Sequence, residues 1–179
     1  MNYDFLDNFI FPNKAITLKN RVVMAPTTLR ASFEDGSVTT DELAYYQLRS
    51  KGVGLVIAEA AYVNPLGRGW EGAISIADDD KIPGLRRLAS AIQSGGAKAV
   101  LQLVAAGRQS TTTILRGEQP VSASAQAYPH GEHEQPRALS HEEIAQNIND
   151  FAQATKRAIL AGFDGVEIHE IGRAHVWTP

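Results

Sequence analysis

The sequence contains no cysteine. That excludes a disulfide framework, thiolate zinc, an iron–sulfur cluster held by these residues and a cysteine nucleophile. It has little excess of charge: 17 Lys and Arg against 20 Asp and Glu give a net −3. No basic face is implied, so neither nucleic acid nor a membrane surface is an expected partner. The apolar runs are all too short to span a bilayer. The first residues, Met1-Asn2-Tyr3-Asp4-Phe5, lack the basic start and apolar core of a secretory signal. The cytoplasm is therefore the expected compartment. No repeat occurs at solenoid periods. What is present is ordinary: 44% hydrophobic and 21% charged residues over 179 positions. That composition fits a globular domain, or a piece of a larger one, and neither a disordered nor a fibrous chain.

The chain alternates strand-like and helix-like segments. Arg21-Val22-Val23-Met24-Ala25 reads as a strand stopped by Pro26, which cannot donate to a ladder. Thr39-Thr40-Asp41-Glu42 combines cap hydroxyls with early acidic residues and predicts a helix running to Gly52. Leu55-Val56-Ile57-Ala58-Glu59-Ala60 is a nearly continuous apolar run, the pattern of a strand covered on both faces. A loop rich in Gly and Pro follows from Asn64 to Ala73. A second helix fits Pro83 to Ser94, with Leu85, Leu88, Ala89 and Ile92 on one stripe. Ala99 to Val104 is a third strand. The loop from Ala105 to Leu139 is long enough to be functional or disordered. Ser140 and Glu143 have capping-box spacing. They open a long helix whose expected buried stripe is Ile144, Ile148, Phe151, Ala152 and Ile159. Gly162 stops it, and Gly165 to His169 is the fourth strand.

This β-α-β-α-β-α-β order predicts a parallel sheet with right-handed crossovers. Two architectures stay open at this level, a doubly wound sheet and part of a (β/α)8 barrel. Both place ligands at strand C-termini, where Thr28, Gln102 and His169 fall.

Several motifs have competing readings. Gly67-Arg68-Gly69-Trp70-Glu71-Gly72 has dinucleotide-fingerprint spacing. Pro65 and Leu66 separate it from the strand and no helix signal follows, so it reads as a flexible loop. Asp78-Asp79-Asp80 reads as a solvated capping run before a helix rather than a cation site. His130 and His133, beside Glu132 and Glu134, lack a third ligand and read as surface residues. Gln102, inside an apolar strand, needs hydrogen-bond partners from the backbone or from a ligand. His169 reads as a satisfied core histidine or, at a barrel mouth, as a donor to a developing oxyanion. Ile171 to Pro179 has neither strand nor helix periodicity and resembles the translation of a sequencing-library adapter. We expect it, together with Glu170, to be a non-native tail over residues 170–179.

Four segments together carry a family resemblance. They are Asn20-Arg21-Val22-Val23-Met24-Ala25-Pro26-Thr27-Thr28, Gly54 to Ala60, Gln102-Leu103 with Gly107-Arg108, and Gly162 to His169. In this order and spacing they resemble the N-terminal half of the Old Yellow Enzyme family of FMN-dependent NAD(P)H:flavin oxidoreductases. The resemblance covers residues 5 to 169. It implies an α/β fold, an incomplete (β/α)8 TIM barrel holding strands one to four, with residues 1–169 as the first half of the FMN-binding barrel.

For individual residues, the resemblance implies that Ala25 and Pro26 offer backbone contacts to FMN and that Thr28 tunes the flavin. Ala60 would lie against the isoalloxazine ring, and Gln102 would bond its pyrimidine edge. His169 would be the first of a pair binding the substrate carbonyl. The implied reaction takes hydride from NADH or NADPH and reduces an activated alkene of a small-molecule substrate. A homo-oligomer is an open outcome for the complete protein.

The sequence departs from the family pattern at Ala105, where many relatives have His, and at Arg30, where one subgroup has Tyr. Gly172 occupies the place of the second carbonyl-binding residue. The later Tyr proton donor, strands five to eight and the phosphate loops are absent, so this chain by itself is expected to be inactive. The alternatives are a longer iron–sulfur flavoenzyme resembling dienoyl-CoA reductase and a non-redox, phosphate-binding barrel lyase or isomerase.

Overall fold

A short antiparallel pair, β1 (Phe9–Ile10) and β2 (Thr17–Leu18), precedes the main sheet. The computed structural model describes residues 3–12, 16–129 and 134–169. The first strand of the main sheet, β3 (Val23–Met24), is shorter than the five residues expected. Its start is diverted into other bonds. Arg21 N–H donates to the Phe5 carbonyl at 2.8 Å, and Val22 N–H donates to the Asn20 side chain at 3.1 Å. Pro26 closes the other end as expected.

Helix α1 (Thr40–Arg49) opens with a complete capping box: Thr39 Oγ1 accepts from Glu42 N–H, and the Glu42 carboxylate accepts from Thr39 N–H. It ends before Gly52, at a Ser50 cap whose N–H donates to the Tyr46 carbonyl. Strand β4 (Leu55–Tyr62) outruns its expected end by two residues. Helix α2 (Ile82–Gln93) buries the expected Leu85, Leu88, Ala89 and Ile92. Strand β5 (Lys98–Val104) follows. The long connection then contains a small parallel pair, β6 (Val121–Ser122) and β7 (Arg137–Ala138). Helix α3 (His141–Ala161) carries the expected capping box of Ser140 and Glu143 and ends at a left-handed Gly162. Strand β8 (Gly165–His169) completes the set.

The main sheet is parallel, in the order β3-β4-β5-β8. Each strand lies beside the next in sequence, as consecutive βα units place them. The three helices cover one face. Val56, Ala58, Ala99, Leu101 and Leu103 pack there with Tyr46, Leu85, Leu88 and Ile92. On the opposite face Leu55, Ile57 and Val100 are only half-buried while Ala60 and Tyr62 are buried, so β4 is covered on both faces toward its C-terminal end and on one face at its start. Asp164 locks the base of β8 to β5. Burial opposes its charge, but Ala99 N–H, Lys98 and Gln93 outweigh that and lower its pKa.

The expected buried stripe of α3 is corrected. Ile148 and Ile159 are exposed, at 67% and 65%, and Ile144 and Ala152 are also exposed. The residues buried are Ala154, Ala158 and Ala161, with Phe151 half-buried beside them. Alanine presents little side chain, so this stripe lets α3 lie close to its neighbours while the bulkier isoleucines occupy a flank.

Two loop readings also change. The Gly67–Gly72 segment is packed, not loose. Arg68 is buried, pairs with Glu71 at 2.6 Å, and its carbonyl accepts from Ser110 Oγ at 2.7 Å. No helix follows it, as expected. The Asp78–Asp80 run is solvated as expected, but its side chains do not cap α2. Asp79 instead pairs with Arg157 at 2.7 Å and Asp80 with Lys81 at 3.1 Å. His130, His133 and residues 170–179 lie outside the described residues. Among the described residues no helix is long and apolar enough to cross a membrane.

Candidate active site

Strand register decides which residues can act together. Ala60 of β4 pairs with Gln102 of β5, and Gln102 pairs with Glu167 of β8. Two residues on, Val104 pairs with His169. Side chains alternate along a strand and register partners share a face. Ala60, Gln102, Glu167 and His169 therefore stand on one face near the C-terminal ends of three adjacent strands. That face is opposite the helices, because Leu101 and Leu103 point into the helical core.

Gln102 is 6% exposed and finds a partner that the sequence did not suggest. Its Nε2 donates to Glu167 Oε1 at 2.6 Å, a side-chain pair between neighbouring strands. A primary amide has two N–H groups and an acceptor oxygen. The Glu167 bond fixes the amide plane and leaves the second N–H and the oxygen to address a ligand. Beside it, Ala60 joins Tyr62, Ala73 and Val104 in a small apolar cluster with Trp70 against it. His169 is exposed, and its side chain has no hydrogen bond or ion pair among the described residues. It is thus not a satisfied core histidine.

On the far side of β4 the segment after β3 runs through Ala25, Pro26 and Thr28. Ala25 and Thr28 are exposed and Pro26 is half-buried. Among the described residues, the backbone groups and hydroxyls of Thr27 and Thr28 form no hydrogen bond. Unpaired backbone donors beside an apolar floor and a half-committed amide suit a planar, polar-edged ring. The residues present therefore fit the ring portion of a flavin.

A second group, missed in the sequence, lies directly beneath. Strand β4 is irregular between Ala58 and Ala60, where one extra residue is inserted relative to β5. That residue is Glu59, fully buried. Its N–H donates to Tyr46 Oη at 2.8 Å, and its Oε2 accepts from Leu29 N–H at 2.9 Å. Glu42 of α1, also fully buried, stands next to it. Burial first, and the Glu42 carboxyl second, push the Glu59 pKa up from 4.5 to about 8, against the backbone N–H groups of Leu29 and Arg30. Burial and the Glu59 charge likewise hold the Tyr46 phenol far above its usual range. A glutamate inside an otherwise apolar strand was the available signal, and the apolar-run reading absorbed it.

A cleft of about 710 Å³ opens elsewhere, bounded by Asn64, Arg108, Ser122, Asn147 and Asp150. It contains none of Ala25, Pro26, Thr28, Ala60, Gln102 or His169. Among the described residues no group of three His, Asp or Glu is arranged to hold a metal.

The profile of the NADH:flavin oxidoreductase / NADH oxidase family matches residues 11–172. The chain belongs to this family. Its members are FMN-dependent oxidoreductases, and all four strand-end segments described above fall within the match. Membership favours a redox enzyme over a non-redox barrel lyase or isomerase. The chain is 45% identical over 164 residues to the NADH:acrylate oxidoreductase of Vibrio harveyi, covering 92% of this chain and 16% of that protein. It is 44% identical over 154 residues to the probable NADH-dependent flavin oxidoreductase YqiG of Bacillus subtilis, covering 86% and 41%. Among solved structures, an old yellow enzyme homologue from Zymomonas mobilis superposes with a TM-score of 0.81 at 31% identity. That superposition covers 93% of this chain and 48% of the other. The chain thus spans less than half the length of these relatives. The fold is the corresponding part of a TIM barrel, which decides between the two architectures left open by the strand order.

Proposed function

We propose that this chain supplies the first four strands of an FMN-dependent ene-reductase-type enzyme. The enzyme takes hydride from NADH or NADPH and reduces an alkene conjugated to a carbonyl. The observation that carries this reading is the row Ala60, Gln102, Glu167 with His169 one step beyond, on the ligand-facing side of one sheet. The Vibrio relative is named for NADH and acrylate, an alkene conjugated to a carboxyl group, which supports the substrate class.

In this reading the backbone of Ala25 and Pro26 and the hydroxyl of Thr28 line one edge of the flavin. Ala60 lies against its ring face and keeps water from that side. Gln102, its plane set by Glu167, fixes the ring's polar edge. When bound, FMN would supply the redox chemistry, a route for hydride from nicotinamide to the alkene β-carbon, with the α-carbon taking its proton from water. His169 donates a hydrogen bond to the substrate carbonyl oxygen, where negative charge accumulates during hydride transfer. A donor placed there stabilises the transition state more than the ground state.

The complete protein should purify yellow, release FMN on denaturation and, with oxygen excluded, oxidise NADH or NADPH in more than stoichiometric amount only when an activated alkene is present. A colourless protein that takes up no FMN would overturn the reading. The 16% coverage of the Vibrio relative favours a second version, in which the same barrel belongs to a longer enzyme. Iron and sulfide in the purified protein would identify the iron–sulfur form.

The 179-residue chain alone should neither turn over substrate nor show a cooperative thermal transition. Four strands leave β3 and β8 as open edges, and a barrel of this kind takes about 250 residues. A sharp calorimetric transition would count against this. We also propose that residues 170–179 are foreign to the native protein, although the family profile runs on to residue 172; sequencing the native locus through codon 179 decides it.

A further inference from the structure

We propose that Glu59 is a positioning residue, held as a neutral acid that shares its proton with Glu42 and thereby fixes the segment carrying Pro26 and Thr28. The proposal rests on the reading that this segment faces FMN.

The first observation is an orphaned atom. Glu59 Oε1 is buried and lacks any hydrogen-bond partner, although Glu42 is adjacent. Two carboxylates cannot bond to one another; a carboxylic acid and a carboxylate can. One proton on Glu59 Oε1, donated to Glu42, satisfies the orphan. It also avoids placing two like charges side by side away from water, where their repulsion is strongest.

The second observation is the environment. From α1, Glu42 and Tyr46 face the Glu59 carboxyl, with Tyr45 stacked edge-on against Tyr46 at 5.1 Å. From the segment after β3 it meets the N–H groups of Leu29 and Arg30. On β5, the flanking register partners are Leu101 and Gln102, both uncharged. Among the described residues neither Glu59 nor Glu42 has an ion-pair partner. Glu42 already accepts from Ser32 Oγ, Thr39 N–H and Thr39 Oγ1. Among the described residues no cation pairs with either carboxyl to compensate a second negative charge.

The third observation is what the pair holds. Arg30 has φ of +56°, in the left-handed region that a residue with a side chain adopts only when its surroundings impose it. Gly72 packs against the Arg30 backbone from one side, and a Cβ there would collide with it. The Glu59 carboxyl holds the same turn through the N–H groups of Leu29 and Arg30. The hydroxyl of Ser32, at the end of the turn, bonds Glu42 at 2.6 Å. The carboxyl pair therefore spans β4, α1 and the segment that leads back to Thr28. Removing the shared proton would put two like charges beneath that segment and loosen it.

The test uses the complete protein, with two independent readouts. Infrared spectra across a pH titration should show a protonated carboxyl at neutral pH that disappears near pH 8 and is missing in Glu59→Gln. FMN affinity should fall by about tenfold from about pH 7 to about pH 9 in the wild type. In Glu59→Gln it should stay flat, because the amide keeps an acceptor for Leu29 and offers Glu42 a permanent donor. Glu42→Gln, a second variant, should move the step to lower pH. A spectrum without a protonated carboxyl at neutral pH overturns the inference. So does a wild-type affinity that is flat, or a Glu59→Gln profile that still falls. If the protonated carboxyl is found and FMN binds at no pH, the flavin reading has failed instead. Hydrogen exchange over residues 25–32 then reads the positioning directly: excess opening above pH 8 in the wild type alone supports it, and none refutes it.

Discussion

Replacing His169 with alanine should slow alkene reduction by roughly 10²–10³-fold, the usual loss for a single donor to a developing oxyanion. Reduction of FMN by NADH should change far less. His169 is exposed, belongs to the last described strand and has no side-chain partner among the described residues, so its removal leaves no buried group there unsatisfied. The fold therefore has little reason to respond, and the loss should fall on the step in which the carbonyl oxygen gains charge. Stopped-flow measurement of the two half-reactions in the complete protein separates these steps. Equal slowing of both would mean that His169 positions the nicotinamide or the flavin, and the carbonyl-binding assignment would be withdrawn.

The second large effect is expected at Gln102. Gln102→Leu keeps the volume but removes both the bond to Glu167 and the groups left for the flavin edge. Hydrogen bonds involving a charged group contribute about 1.5–3 kcal/mol. Losing the flavin-facing bonds and the alignment set by Glu167 should weaken FMN binding by roughly 10–100-fold. Glu167→Gln tests the alignment alone. It retains an acceptor for Gln102 but loses the charge, so its effect should be smaller and in the same direction. Flavin fluorescence during titration of the apoprotein reads both. FMN affinity unaltered by Gln102→Leu would remove Gln102 from the site.

Much of this arrangement was readable beforehand. The three helices and four principal strands follow from periodicity; the Ser140/Glu143 capping box follows from its spacing, while at Thr39–Glu42 the sequence marks only a helix start and the structure adds the box. The strands that carry Ala60, Gln102 and His169 are legible as well, although β4 runs two residues past the end of its apolar run at Ala60. What failed, failed for identifiable reasons. The α3 stripe was misassigned because isoleucine outweighs alanine on any hydrophobic ranking, while close packing here selects the smaller residue. The Glu167 partner of Gln102 was invisible because it depends on register between strands 65 residues apart in sequence. The Glu59 network required an inserted residue, and an insertion leaves no periodic trace in so short a run.

That insertion also separates two neighbouring codons. With strict alternation after Ala58, the residue opposite Gln102 would be Glu59, and a carboxyl group would stand where a ring should lie. The extra residue resets the phase, so position 60 serves the ligand side while position 59 serves the interior. Substitutions at 60 can thus explore ligand fit without disturbing the proton held at 59. A one-residue deletion upstream in β4 would move both residues out of these places at once, Glu59 to that of Ala58 and Ala60 to that of Glu59. Length in this strand should therefore be under tighter selection than the identity of most of its side chains.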